Sequence, residues 1–158
     1  MIMLRRLTQA DLPLLRQVWK ENWGDEFVVA HGVVYRPDPL DGFIALDGHE
    51  WMGEITFTFS QDGCEIVTLD SVREGQGLGT KLINAVVEQV RKQHRKRIFL
   101  ITTNDNLNAL GFYQKRGFQL VKIHRGAVNE SRKIKPSIPL IGMNNIPLRD
   151  EIELEIIL

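Results

Sequence analysis

The chain has 158 residues, 43% hydrophobic and 25% charged, with 20 Lys+Arg against 20 Asp+Glu. That length fits a single domain over 1–158 with a real core, and the charge balance speaks against wholesale nucleic-acid binding, which needs a basic excess. Cys64 is the single cysteine, so no internal disulfide forms, and MIMLRRLTQADL turns polar too early for a signal peptide; without an apolar run of roughly 18 residues either, a cytoplasmic chain with no membrane contact is expected.

Thr8, followed three residues later by Asp11, reads as a capping box that opens a helix reaching Trp23. Leu12, Leu15, Val18 and Trp19 share one face of it at helical spacing. From Gly24 to Asp41 no period emerges, and a loop or broken helix is expected. Three strands follow, over Gly42–Leu46, Glu50–Ser60 and Cys64–Ser71. Asp47-Gly48 and Asp62-Gly63 separate them, and Asp-Gly accepts the positive φ of a hairpin turn. The period then changes. Leu78, Leu82, Ile83, Val86, Val87 and Val90 predict a helix from Gly77 to about His94. Arg97–Thr103 reads as a short buried strand, Asn106–Arg116 as a helix capped by Gly117, and Phe118–His124 as another strand. Residues 126–147 hold three prolines and no period, which predicts a long loop. Glu151–Leu158 alternates Glu with Ile or Leu and reads as a half-buried strand.

Chemistry enters at Glu74-Gly75-Gln76-Gly77-Leu78-Gly79-Thr80, between a strand and the strongest helix. Glycines let the backbone approach a ligand closely. The first turn of a helix leaves N–H groups without intrahelical partners, and its dipole favours an anion, so this is a candidate pyrophosphate seat. Thr80 can add a hydroxyl. Neither G-x-x-x-x-G-K-[ST] nor G-x-G-x-x-G is present. Glycines alone also suit a connector that binds nothing.

A second motif resolves that choice. Asn106-x-x-Ala109-x-x-Phe112-Tyr113-x-x-x-Gly117-Phe118 begins 27 residues after Gly79, across one strand. Together the two segments resemble the GCN5-related N-acetyltransferase family, whose acetyl-CoA signature is [QR]-x-x-G-x-[GA] at a helix start. Glu74 stands where that signature has Gln or Arg. The resemblance is clearest over Glu65–Phe118. It implies a mixed α/β fold: a twisted, mostly antiparallel sheet of about seven strands flanked by helices. It also implies direct transfer of an acetyl group from acetyl-CoA, as co-substrate, to an amine.

From the resemblance, residues 75–80 (Gly75, Gln76, Gly77, Leu78, Gly79 and Thr80) cradle the diphosphate through main-chain amides. Leu69 and Ser71 pair with the pantetheine arm as an added strand would, and Leu69 supplies an N–H to the oxyanion. Asn106 helps hold that arm, with Asn104 and Asn108 as nearby polar candidates. Asparagine at a helix start is also a good N-cap. Tyr113 matches the family tyrosine beside the CoA sulfur and is assigned as general acid; the alternative is a packing tyrosine. Glu65 lies where several members carry a catalytic carboxylate, so it is the candidate base; the alternative is a solvent-facing strand residue. Asp70, five residues on, is expected to face the other way. Asp25 and His31 are further candidates near the acceptor.

The basic run Arg91–Arg97 reads as a solvated helix end. No His or Cys spacing suggests a metal. The expected acceptor is a small-molecule amine. A protein N-terminus or lysine, and a non-catalytic acyl-CoA sensor, are the alternatives. The 126–147 segment is a candidate cover for the acceptor or a homodimer contact.

Overall fold

The computed structural model describes residues 1–72 and 76–158. In chain order the elements are β1 (Ile2–Arg6), α1 (Leu12–Trp23), β2 (Val28–Ala30), β3 (Val33–Tyr35), β4 (Asp41–Asp47), β5 (Glu50–Ser60), β6 (Gly63–Ser71), α2 (Leu78–Lys92), β7 (Arg97–Thr103), α3 (Leu107–Lys115), β8 (Gln119–His124), α4 (Ala127–Ile134) and β9 (Glu151–Ile157). Among the described residues, seven strands form one sheet in the order β1-β4-β5-β6-β7-β9-β8, and β2 pairs with β3 separately. The β1–β4, β4–β5, β5–β6 and β8–β9 pairings are antiparallel. The fold is therefore mixed α/β with a mostly antiparallel sheet flanked by helices, as expected from the sequence.

The chain divides into two compact units. The first comprises residues 1–13, 37–98 and 157–158. Here the apolar stripe of α2 does what its period dictates: Leu78, Leu82, Ile83, Val86 and Val90 are all buried, and α2 packs on β4, β5 and β6. Burying each such side chain contributes about 1.5–3 kcal/mol. Close approach requires a glycine at position 53, since a Cβ there would sit 2.7 Å from the Asp70 carbonyl oxygen and 3.2 Å from Leu78 Cδ2.

Thr8 opens a 3-10 turn, Gln9–Asp11, and α1 begins only at Leu12. The Thr8 N–H donates to Asp11 Oδ2 at 2.8 Å, the reciprocal half of the expected box. Arg5 adds a fork of two 2.8 Å bonds to both Asp11 oxygens. That guanidinium is the main reason the Asp11 carboxyl falls from 3.8 to about 2, with burial opposing it. A folded pKa below the unfolded one stabilises above the unfolded value, and the contribution is lost as pH falls through the folded one. Asp11→Asn is expected to lose about 1–2 kcal/mol at neutral pH, discounted because Arg5 is half exposed. Urea denaturation should show the gap between variant and parent closing between pH 4 and pH 2. A gap independent of pH would remove the ion pair from the account.

The second unit comprises residues 14–36 and 99–156. Leu15, Val18 and Trp19 of α1 are buried, as their spacing predicts. Two segments of this unit differ from the sequence reading, as does β1 of the first unit, a strand the sequence reading did not propose. The stretch 24–41 contains the β2–β3 hairpin, turning through His31 (φ 41) and Gly32 (φ 80). Three-residue strands are too short to display a period; the signal was the symmetry of Val28-Val29-Ala30 and Val33-Val34-Tyr35 about His-Gly. The stretch 126–147 contains α4 and a 3-10 turn at Met143–Asn145. Helix α4 buries only Val128 and Ser131, so no apolar stripe marks it. In β9, Leu154 is buried as alternation predicts, but so is Glu151 on the opposite face.

Candidate active site

Strand β6 and the start of α2 carry the first half of the expected machinery. Val72 donates its N–H to the Met52 carbonyl at 2.9 Å. Alternate residues of an antiparallel strand turn their backbone groups to the same neighbour. The Asp70 backbone groups therefore face β5, while Leu69 and Ser71 direct their N–H and C=O to the other side of β6, where β7 is its neighbour in the sheet. Helix α2 begins at Leu78 after Gly77, whose φ of 76 is a left-handed conformation that favours glycine. Gln76 and Gly77 are exposed, and Gly79 and Thr80 are half-buried. Among the described residues, the first backbone bond of the helix runs from Lys81 N–H to Gly77 C=O, 3.1 Å. The amides of Leu78 and Gly79 thus precede every intrahelical acceptor. Glu74 and Gly75, expected at the head of the cradle, lie outside the described residues.

Glu65 is buried rather than solvent-facing. It pairs across the sheet with Thr58, while Thr68 pairs with Thr56 and Asp70 with Glu54. The register shifts between Thr56 and Phe57, so Val67 is an extra residue in β6. Such a bulge reverses the alternation. Glu65 and Asp70 consequently share one face, correcting the expectation from spacing alone that they oppose each other. Glu54 and Thr56 lie on that face as well. The Thr56 and Thr68 hydroxyls meet at 2.5 Å, and Thr68 donates to Glu54 Oε2 at 3.1 Å. This buried polar cluster was not legible beforehand, because Glu54 and Thr68 are far apart in sequence and joined only by register.

Cys64, next to Glu65, is fully buried, and burial pushes its thiol up to about 12. A thiol so far from ionisation is no nucleophile. The basic run is partly structural. Arg95 donates to the Ser60 carbonyl and lies over the Phe59 ring, and Arg97 donates to the Asp62 carbonyl at 3.2 Å, fastening the β5–β6 turn.

In the second unit, Asn106 is the N-cap of α3, its Oδ1 accepting from the Ala109 N–H at 3.0 Å. The Asn104 side chain is committed to the backbone of Pro147, Arg149 and Asp150. Its Oδ1 accepts from both Arg149 and Asp150 N–H at 3.0 Å, and its Nδ2 donates to the Pro147 carbonyl at 2.9 Å. Tyr113 is 7% exposed on α3. Its ring meets Phe112 and Phe118 edge-on, with centroids 5.1 and 5.3 Å apart.

The 24–36 segment is pinned twice by residues the sequence reading did not single out. Lys135 is buried, and its ammonium donates to the carbonyls of Trp23 at 2.7 Å and Phe27 at 2.9 Å. Burial draws its pKa below the ordinary lysine value. Glu151 accepts the His31 N–H on its two oxygens at 3.1 and 3.3 Å. His31 Nε2 and the Tyr35 hydroxyl are 3.1 Å apart. Unpaired, either buried charge would be costly, so each fixes its backbone partners firmly.

Comparison with known proteins identifies the family. Residues 4–118 match the model of the Acetyltransferase (GNAT) family. The chain is 44% identical to the uncharacterized protein YxbD of Bacillus subtilis over 145 residues, 91% of each chain. It is 43% identical to the uncharacterized protein YdhI of the same organism, over 88% of each. Its fold matches a GNAT family acetyltransferase from Elizabethkingia anophelis, solved with acetyl-CoA bound, at TM-score 0.73 and 21% identity, covering 99% of this chain and 98% of that one. The family model spans well over half of the sequence and includes both motifs, so this chain belongs to the GNAT acetyltransferase family.

Proposed function

We propose that the protein transfers the acetyl group of acetyl-CoA directly to a primary amine of a small molecule. The observation that supports this most is the start of α2. A left-handed Gly77, exposed to solvent, precedes helix amides that have no intrahelical acceptor, a setting that favours a diphosphate. Leu69 and Ser71, with backbone groups turned away from β5, suit an extended amide-bearing arm.

Each chemical need has a residue. A primary alkyl amine has a pKa of about 10.4 and must lose a proton before it attacks. Glu65, buried on its strand, is the proposed acceptor of that proton. The amine nitrogen then bonds to the thioester carbonyl carbon, and the Leu69 N–H stabilises the oxygen as it becomes anionic. The nitrogen gives up its second proton to solvent, the carbon–sulfur bond breaks as the carbonyl re-forms to leave a neutral amide, and the Tyr113 hydroxyl gives its proton to the departing thiolate and regains one from solvent. Asn106 positions the arm.

Calorimetric titration of acetyl-CoA into the folded protein tests the cradle, and saturable heat is expected. A folded protein that evolves none would overturn the reading. Thiol release over a panel of amines and short peptides then tests the acceptor class. Turnover confined to peptides would replace the small molecule with a protein N-terminus.

A further inference from the structure

At the junction of β8, α4 and β9 lies a cavity of about 650 Å³, lined by Arg125, Gly126, Asn129, Arg149 and Asp150. None of these residues belongs to the machinery assigned above. That volume is within the roughly 300–1,000 Å³ range of small-molecule sites, but such sites are mostly apolar and this one is polar. We propose that the cavity binds an oxyanion, a carboxylate or a phosphate, held by the guanidinium groups of Arg125 and Arg149.

The walls are built by backbone, not by the side chains that would do the binding. Pairing of His124 with Glu151 at the end of the β8–β9 ladder brings Arg125 and Arg149 onto adjoining chain segments. The Arg149 N–H is held by Asn104 Oδ1 at 3.0 Å, and its carbonyl accepts the Val128 N–H at 3.0 Å. Asp150 is held from both sides, its N–H on Asn104 Oδ1 and its carbonyl on the Asn104 N–H, each 3.0 Å. The backbone carrying Arg149 is therefore fixed without any help from its guanidinium.

Among the described residues, neither Arg125 nor Arg149 makes a side-chain hydrogen bond or ion pair. A neighbouring arginine shows the contrast. Arg132 on α4 spends its guanidinium on the carbonyls of Ile138, Pro139 and Leu148 and on Asn129 Oδ1. The acidic group present, Asp150, already accepts the Gly126 N–H at 2.9 Å. Two free cations against one engaged carboxylate leave the cavity with an excess of one positive charge. The start of α4 is not the source of this preference, since Gly126 and Val128 already donate their N–H groups to Asp150 Oδ1 and the Arg149 carbonyl. A forked guanidinium matches the two oxygens of a carboxylate or phosphate, and such charge-assisted bonds are about twice as strong as neutral ones.

The oxyanion has two possible sources: a group carried by the acceptor, or a free anion acting as an effector. The first rests on the acetyl-transfer reading; the site itself does not. The test uses the full chain and the Arg125→Gln/Arg149→Gln variant, with Arg91→Gln/Lys92→Gln as a control for general charge. Sodium phosphate and sodium acetate are titrated at constant ionic strength and followed by NMR of the backbone amides. Saturable shifts are expected at Gly126 and Asn129 in the parent and the control. They should weaken about tenfold or more in the cavity variant, a difference of about 1.4 kcal/mol. Equal weakening in the control, or no saturation in the parent, would overturn the site. This binding readout stands whether or not any amine is acetylated.

Thiol release is then compared for an amine and the same amine bearing a carboxylate. A lower KM for the acid that disappears in the cavity variant, with kcat unchanged, places the oxyanion on the acceptor. Equal KM values, with phosphate changing both rates only while the arginines are present, identify an effector. A preference for the acid that survives in the cavity variant would overturn recognition by the arginines.

Discussion

Tyr113→Phe is expected to lower kcat by about a hundredfold, the low end of what a positioned proton donor contributes, and to leave acetyl-CoA affinity nearly unchanged. The expectation follows from how the ring is held. Its packing comes from edge-on contacts with Phe112 and Phe118, which phenylalanine keeps. The variant removes one oxygen from a side chain already 7% exposed, so the fold and the α3 backbone are retained. On the proposed mechanism, the variant loses the proton for a thiolate leaving group with an ordinary pKa near 8.5. The measurement is steady-state thiol release, with calorimetry for the cofactor. Equal turnover in the two proteins would reduce Tyr113 to a packing residue. A raised Kd at constant kcat would give it a binding role instead.

Asp105→Ala is expected to lower stability by about 3 kcal/mol, since a buried charged acceptor is lost and its donors are left without a partner. Asp105 is 2% exposed between β7 and α3. Its Oδ1 accepts from the Thr103 hydroxyl at 2.5 Å and its Oδ2 from the Met143 N–H at 2.8 Å. Its carbonyl accepts from Asn144 Nδ2 at 3.1 Å. The carboxylate thereby holds residues 142–145, where Asn144 and Asn145 both have positive φ. For a chain of this size the loss corresponds to a fall in Tm of roughly 6–12 °C. Asp105→Asn, which keeps an acceptor oxygen, should fall less. Gly142→Ala should also destabilise, because a Cβ there would lie 2.1 Å from Asp105 Oδ2. Unchanged melting in Asp105→Ala would show that the 142–145 segment is held by other contacts.

Long periodic elements were legible from the residues alone. The α2 stripe repeats over four turns, and the Asp-Gly turns delimit β4, β5 and β6, so local pattern and final structure agree. The Asn106–Phe118 motif located α3, and its N-cap followed from asparagine's side chain. Other features were beyond such reading. The β2–β3 hairpin has strands of three residues, and α4 buries two side chains; neither offers enough repeats for a period. The orientation of Asp70 depended on one extra residue, Val67, and a bulge carries no composition signal. Lys135 and Glu151 look like ordinary surface charges until tertiary contacts bury them. The same limit applied to Asn104, whose expected role beside a cofactor gave no hint that its amide would tie down Arg149 and Asp150.

The two pins on the 24–36 segment have a consequence for how the molecule is made. Lys135 reaches back 112 and 108 positions to Trp23 and Phe27, and Glu151 reaches back 120 to His31. A nascent chain emerging from the ribosome holds the hairpin residues long before it holds either anchor. Their shape must wait until residues 135 and 151 have been synthesised, and contacts this distant along the sequence are the slowest to form.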